Sequence, residues 1–124
     1  MNKSHFFGLW REHCHGKFPS ILNEPRNILS PVEAQKISAY LENCPIWVAS
    51  PGLEKSKICP SEIAGTLSIK TDGKWAWQDT MAYYVRKLRI SPPLEFVSHF
   101  NEKNGHWPSE SEVDVLLLEF PDFE

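Results

Sequence analysis

The sequence predicts an α+β domain in which a small antiparallel sheet, a hairpin around Asp72-Gly73 plus a strand over 46–49, packs against four to five helices. Three observations carry that expectation. Asp72-Gly73 lies between two apolar-alternating runs, the strongest short-range hairpin signal, because a type I′ turn needs positive φ at both central residues. Ser30-Pro31-Val32-Glu33 combines a serine cap, proline at the first helical position and a glutamate placed to close a capping box. Ile46-Trp47-Val48-Ala49 is short, β-branched and aromatic, and is bounded by Pro45 and Ser50-Pro51-Gly52.

Taken along the chain, Ser4 caps an expected first helix in which Phe6, Leu9, Trp10 and His13 fall at helical spacing and Gly16 ends it. Residues 17–27 carry Pro19 and Pro25 without a sustained period and read as an extended connection anchored by Phe18, Ile21 and Leu22. The helix from Ser30 presents Ile37, Tyr40, Leu41 and Cys44 on one face and stops at Pro45. Strand 46–49 reads as buried and paired with the hairpin, and the polar segment 53–61 reads as a loop holding Lys55 and Lys57. In the hairpin, Leu67 and Ile69 share one face before the turn, and Trp75 and Trp77 share one face after it. Asp79 is the expected cap of a helix with Ala82, Val85 and either Tyr83 or Met81 inward and Arg86, Lys87 and Arg89 at its end, where cations suit the helix dipole.

Ser91-Pro92-Pro93 begins another helix, with Leu94, Val97 and His99 or Phe100 inward and Asn104-Gly105 as its left-handed terminator. Ser109-Glu110-Ser111-Glu112 repeats the capping-box spacing ahead of Val113, Leu116, Leu117 and Phe120. That spacing and the acidic first turn favour a last helix, although Val113, Val115 and Leu117 also fit a strand.

At 124 residues the chain is expected to form one domain over 1–124, within the prior of about 100–200 residues per domain. No apolar run reaches the roughly 18–20 residues that cross a bilayer, and the start of the chain lacks a signal-peptide core, so the expected location is the cytoplasm with no membrane role. Cys14, Cys44 and Cys59 are scattered and lack zinc-site spacing, so they are expected to be reduced, with no cofactor and no metal. A net charge of −3 argues against direct nucleic-acid binding. The charge is unevenly placed: residues 109–124 hold Glu110, Glu112, Asp114, Glu119, Asp122 and Glu124 and no Lys or Arg.

The run Thr71-Asp72-Gly73-Lys74-Trp75-Ala76-Trp77, then Ala82-Tyr83-Tyr84-Val85, then Pro93-Leu94-Glu95-Phe96, resembles a group of small bacterial proteins, over about residues 66–108. Many members of that group are encoded beside secreted polymorphic toxins and are regarded as their immunity proteins, including those of contact-dependent growth inhibition. The shared pattern is a fold signature without a catalytic motif. The resemblance implies a cytoplasmic immunity protein, not an enzyme, that binds and neutralises a cognate toxin domain, with a nuclease as the expected toxin class. Nucleases are basic where they meet phosphate, so an acidic surface suits occlusion of the active or substrate-binding site. The expected footprint is Glu110, Glu112, Asp114 and Glu119, with Trp107 and Trp75 as aromatic anchors, on a monomer or weak dimer.

Against this stands a small enzyme or ligand-binding domain that uses the Trp75 and Trp77 hairpin with a loop histidine or cysteine, His106 or Cys59. Indoles on a strand are more often core than platform. His13-Cys14-His15 is the one cluster of metal-ligand types, but neighbours on a helix point about 100° apart and do not converge on one ion. Asp72 is accounted for by its turn and Asp79 by its cap.

Overall fold

The computed structural model describes residues 5–10, 20–50 and 52–113. Its main sheet has four strands in the order β1 (His5–Phe7), β6 (Trp75–Gln78), β5 (Ile69–Thr71) and β2 (Ile46–Val48). A separate two-stranded sheet pairs β3 (Leu53–Lys55) with β4 (Ile63–Thr66). Among the described residues there are three α-helices: α1 (Pro31–Asn43), α2 (Met81–Leu88) and α3 (Leu94–Glu102).

Two parts of the expected architecture are corrected. The sheet is mixed, not antiparallel, because β1 runs parallel to β6 with His5, Phe6 and Phe7 opposite Trp75, Ala76 and Trp77. The helix count falls to three because the expected first helix is a strand at His5–Phe7 and irregular over residues 8–10, its remaining residues lie outside the described ones, and the last helix is described only as a 3₁₀ turn, Glu110–Glu112. The reason at the start of the chain is period two: Phe7 enters the main core with Trp75, Trp77 and Phe96, while Phe6 lies against Trp47 on the opposite face. Gly8, at φ 69, then turns the chain tightly over Met81.

α1 forms as expected. The Ser30 hydroxyl accepts from the Glu33 amide, the Glu33 carboxylate accepts from the Ser30 amide, and Ala34, Ile37, Tyr40 and Leu41 are buried. β2 pairs with β5 but is an edge strand, with Ile46 49% and Val48 41% exposed, so the expected burial fails. Segment 53–61 is partly strand, and the Ser56 hydroxyl accepts from the amides of Ile58 and Cys59. Ile21 anchors the early connection, whereas Leu22 faces solvent.

Asp72-Gly73 forms the hairpin turn with a different geometry. Gly73 has φ 98 and Asp72 keeps a negative φ, so the turn is not type I′. The Asp72 side chain takes over the pairing: its Oδ1 accepts from the amides of Lys74 (3.0 Å) and Trp75 (2.7 Å). Asp79 does not cap α2. Its carboxylate accepts from the amide and hydroxyl of Thr66 at 3.0 and 2.9 Å and faces Lys70 Nζ at 3.3 Å, so the cap position passes to Thr80.

α3 is anchored by Phe96, not Leu94, which is 77% exposed. The Phe96 ring is the hub of the core, with centroids 4.6 Å from Phe7, 5.7 Å from Trp75, 5.7 Å from Trp77 and 5.9 Å from Tyr40. Such edge and tilted pairs contribute about 0.5–1.5 kcal/mol each beyond area burial. α3 ends as expected, with Asn104 (φ 53) and Gly105 (φ 70) in the left-handed region.

Candidate functional site

The segments that carry chemistry in the sequence resolve into an interior cluster and an exposed face. The interior cluster centres on Asp72, whose side chain is 1% exposed. Its Oδ2 accepts from the Tyr40 hydroxyl at 2.6 Å and from His99 Nε2–H at 2.8 Å, while Oδ1 holds the two turn amides. A carboxylate only accepts, so the proton in the histidine bond sits on Nε2. The four acceptances fill the carboxylate's lone-pair positions and tie α1, the hairpin and α3 to one group. Burial pushes the Tyr40 hydroxyl well above its ordinary pKa, and the hydrogen bond to Asp72 adds to it. Burial likewise pushes the Cys44 thiol up, with the nearby Asp72 charge second. Both groups therefore hold their protons at neutral pH, and the cluster acts as a brace.

Sequence reasoning missed this cluster. The three side chains come from elements separated by 32 and 27 residues, and each had a local explanation: a turn for Asp72 and apolar helix faces for Tyr40 and His99.

The exposed face follows α3. His106 and Trp107 form the connection after Gly105, and Trp107 is 45% exposed. The Ser109 capping box is present: the Glu112 carboxylate accepts from the Ser109 amide at 3.0 Å and from its hydroxyl at 2.9 Å. Those bonds hold the Glu112 carboxyl below the usual carboxylate range, the backbone bond most strongly, with the Lys103 charge a lesser contributor. Glu110 and Glu112 both face solvent. Asp114 and Glu119 lie outside the described residues. Trp75 is buried at 6% exposure against Phe7 and Phe96, so it presents no indole to a partner, and Trp77 is fully buried. The hairpin thus offers no exposed stacking platform.

A groove of about 490 Å³ opens between α1 and the end of α3, lined by Lys36, Ala39, Phe100, Asn101, Asn104, Gly105 and Trp107.

Cys59 sits in a smaller surface group. The Tyr83 hydroxyl donates to Glu62 Oε1 at 2.6 Å, and Lys87 Nζ lies 3.2 Å from the same oxygen. The Tyr83 bond, then Lys87, holds Glu62 below its ordinary pKa, while Glu62 raises Lys87. The Cys59 thiol is 3.4 Å from the Ser61 hydroxyl. Among the described residues no three His, Cys, Asp or Glu side chains converge on a point that would hold a metal ion. His13, Cys14 and His15 lie outside the described residues. No helix among the described residues is long and apolar enough to cross a membrane. Compared with known proteins, the chain matches no family model, no curated protein and no solved structure.

Proposed function

We propose that the chain is a cytoplasmic immunity protein that binds a cognate, basic toxin domain, with a nuclease as the favoured class, and neutralises it by occlusion without catalysis of its own. The observation that supports this reading is the placement of a half-exposed Trp107 three residues before Glu110, on a turn that leaves Glu110 and Glu112 exposed. A large indole beside fixed negative charge is the composition of a binding hot spot for a basic surface: the ring supplies buried area and cation–π attraction, and the acids steer the approach. Trp75 leaves the footprint, and Glu110, Glu112 and Trp107 remain as its described members. Lys103, close enough to Glu112 to lower its pKa, offsets part of the negative charge, so the acids contribute mainly to association rate.

The motif residues behind the resemblance have a structural role of their own. Trp75, Trp77 and Phe96 form the core hub, and Asp72 joins the turn to Tyr40 and His99. They hold the scaffold, and binding specificity belongs to the segment that follows α3.

Capture of the tagged chain from its own organism, in parallel with a Glu110→Lys/Glu112→Lys variant, tests the reading. The expected result is one stoichiometric basic polypeptide whose association with the variant is about tenfold slower at low salt. Equal rates at low salt would remove the acids from the footprint.

A further inference from the structure

We propose that the groove between α1 and the end of α3 is a binding site for a small molecule that joins a flat ring to an anionic group. Among the described residues, Lys36 is the one charged residue in its lining. Lys36, Asn101, Asn104 and Trp107 are all exposed, and the Lys36 ammonium, the two asparagine side-chain amides and the Trp107 indole N–H have no hydrogen-bond or ion-pair partner among the described residues. Outside the lining, Glu112 and Ser109 bond each other, and Asp72 and His99 belong to the interior brace.

The unengaged groups are mainly donors. One ammonium, two amide NH₂ groups and one indole N–H surround the groove, against two amide oxygens as acceptors. That balance, with a positive charge, selects an anion such as a carboxylate or phosphate. The apolar part of the lining selects a ring. Trp107 is 45% exposed and offers an indole face, with Ala39 and the Phe100 edge as the other apolar contacts. Gly105, at φ 70, lies close against that ring, since a Cβ there would come within 3.3 Å of Phe100 Cζ. The volume of about 490 Å³ lies within the range of about 300–1,000 Å³ typical of small-molecule sites.

The charge of the lining makes a prediction that stacking alone does not. Two probes that share an indole ring and differ in charge, indole-3-acetate and tryptamine, are titrated against ¹⁵N-labelled protein. Indole-3-acetate should saturably shift the Trp107 Nε1–H and the Asn101 and Asn104 side-chain signals, and tryptamine should bind more weakly. Lys36→Glu, at an exposed helix position, should weaken indole-3-acetate by about three- to tenfold and reverse the preference. Glu95→Lys, exposed and outside the lining, should leave both titrations unchanged. Equal response to the two probes, no response at millimolar concentration, or an unchanged preference in the folded Lys36→Glu variant would overturn the proposal. The titration uses no toxin, so its outcome is independent of the proposed immunity function.

Discussion

Replacing Asp72 with alanine should be among the most damaging single substitutions in the hairpin, by an amount that follows from its four bonds. The carboxylate is 1% exposed and accepts from Tyr40, His99, Lys74 and Trp75. Tyr40 and His99 would each lose a charge-assisted bond in a site closed to water, at about 1.5–3 kcal/mol each. Lys74 is exposed, so its amide regains water, and the Trp75 amide adds a smaller loss. After relaxation the expected cost is about 3–5 kcal/mol, a large part of the roughly 5–15 kcal/mol by which domains are stable. Asp72→Asn should cost less, about 1–2 kcal/mol, because its Oδ1 keeps the two turn amides and its NH₂ donates to Tyr40 Oη. His99 can accept from the same NH₂ once its proton moves to Nδ1. Urea unfolding followed by tryptophan fluorescence reads both values, and a cycle with Tyr40→Phe should show a coupling above about 0.5 kcal/mol. An alanine variant within about 1 kcal/mol of the parent, or equal losses for alanine and asparagine, would refute the brace.

Gly8→Ala should lower the thermal midpoint through a loss of about 2–3 kcal/mol, since the new Cβ would lie 2.8 Å from Met81 Cβ at a φ of 69; an unchanged midpoint would show that the β1 turn relaxes freely. Cys44 and Cys59 should separate in thiol labelling of a Cys14→Ser background, with half-buried Cys59 reacting in the folded state and buried Cys44 only on unfolding. The folded state raises the Cys44 thiol, so its contribution to stability is full below the ordinary thiol pKa of about 8.5 and is lost as pH rises beyond it. The urea midpoint should therefore fall from pH 8 to about 10, and less steeply in Cys44→Ala. Glu112 has the opposite sign: its lowered pKa gives a contribution present above the ordinary carboxyl range and lost as pH falls through the folded value, and Ser109→Ala, which removes the hydroxyl bond but keeps the stronger amide bond, should return its NMR titration only part of the way toward the ordinary Glu midpoint.

Local signals were legible where one residue type has one use. The Ser30 and Ser109 capping boxes and the Asn104-Gly105 terminator form where their spacing places them, because each satisfies backbone groups within four residues. Misreadings arise where two periods or two partners compete. Phe6, Leu9 and Trp10 fit a helix, but adjacent Phe6 and Phe7 pack on opposite faces of a sheet whose partner strand lies about 70 residues away. Asp79 is a sound cap by local rules and is drawn off by Thr66 and Lys70. The Asp72 brace left no spacing signal, since its three side chains meet only when α1, the hairpin and α3 are assembled. Of the exposed face, the capping box and Trp107 were readable, but the groove depends on how α1 lies along the end of α3.

The proposed immunity function is tested most directly by growth protection. The polypeptide captured by the chain is expressed under an inducible promoter in a susceptible host, alone and together with the chain. The account predicts arrested growth with the polypeptide alone, protection when the chain is present, and weakened protection with the Trp107→Ala/Glu110→Lys/Glu112→Lys variant at equal expression. A captured polypeptide that leaves growth unaffected when expressed alone, or protection unchanged by the folded triple variant, would contradict it.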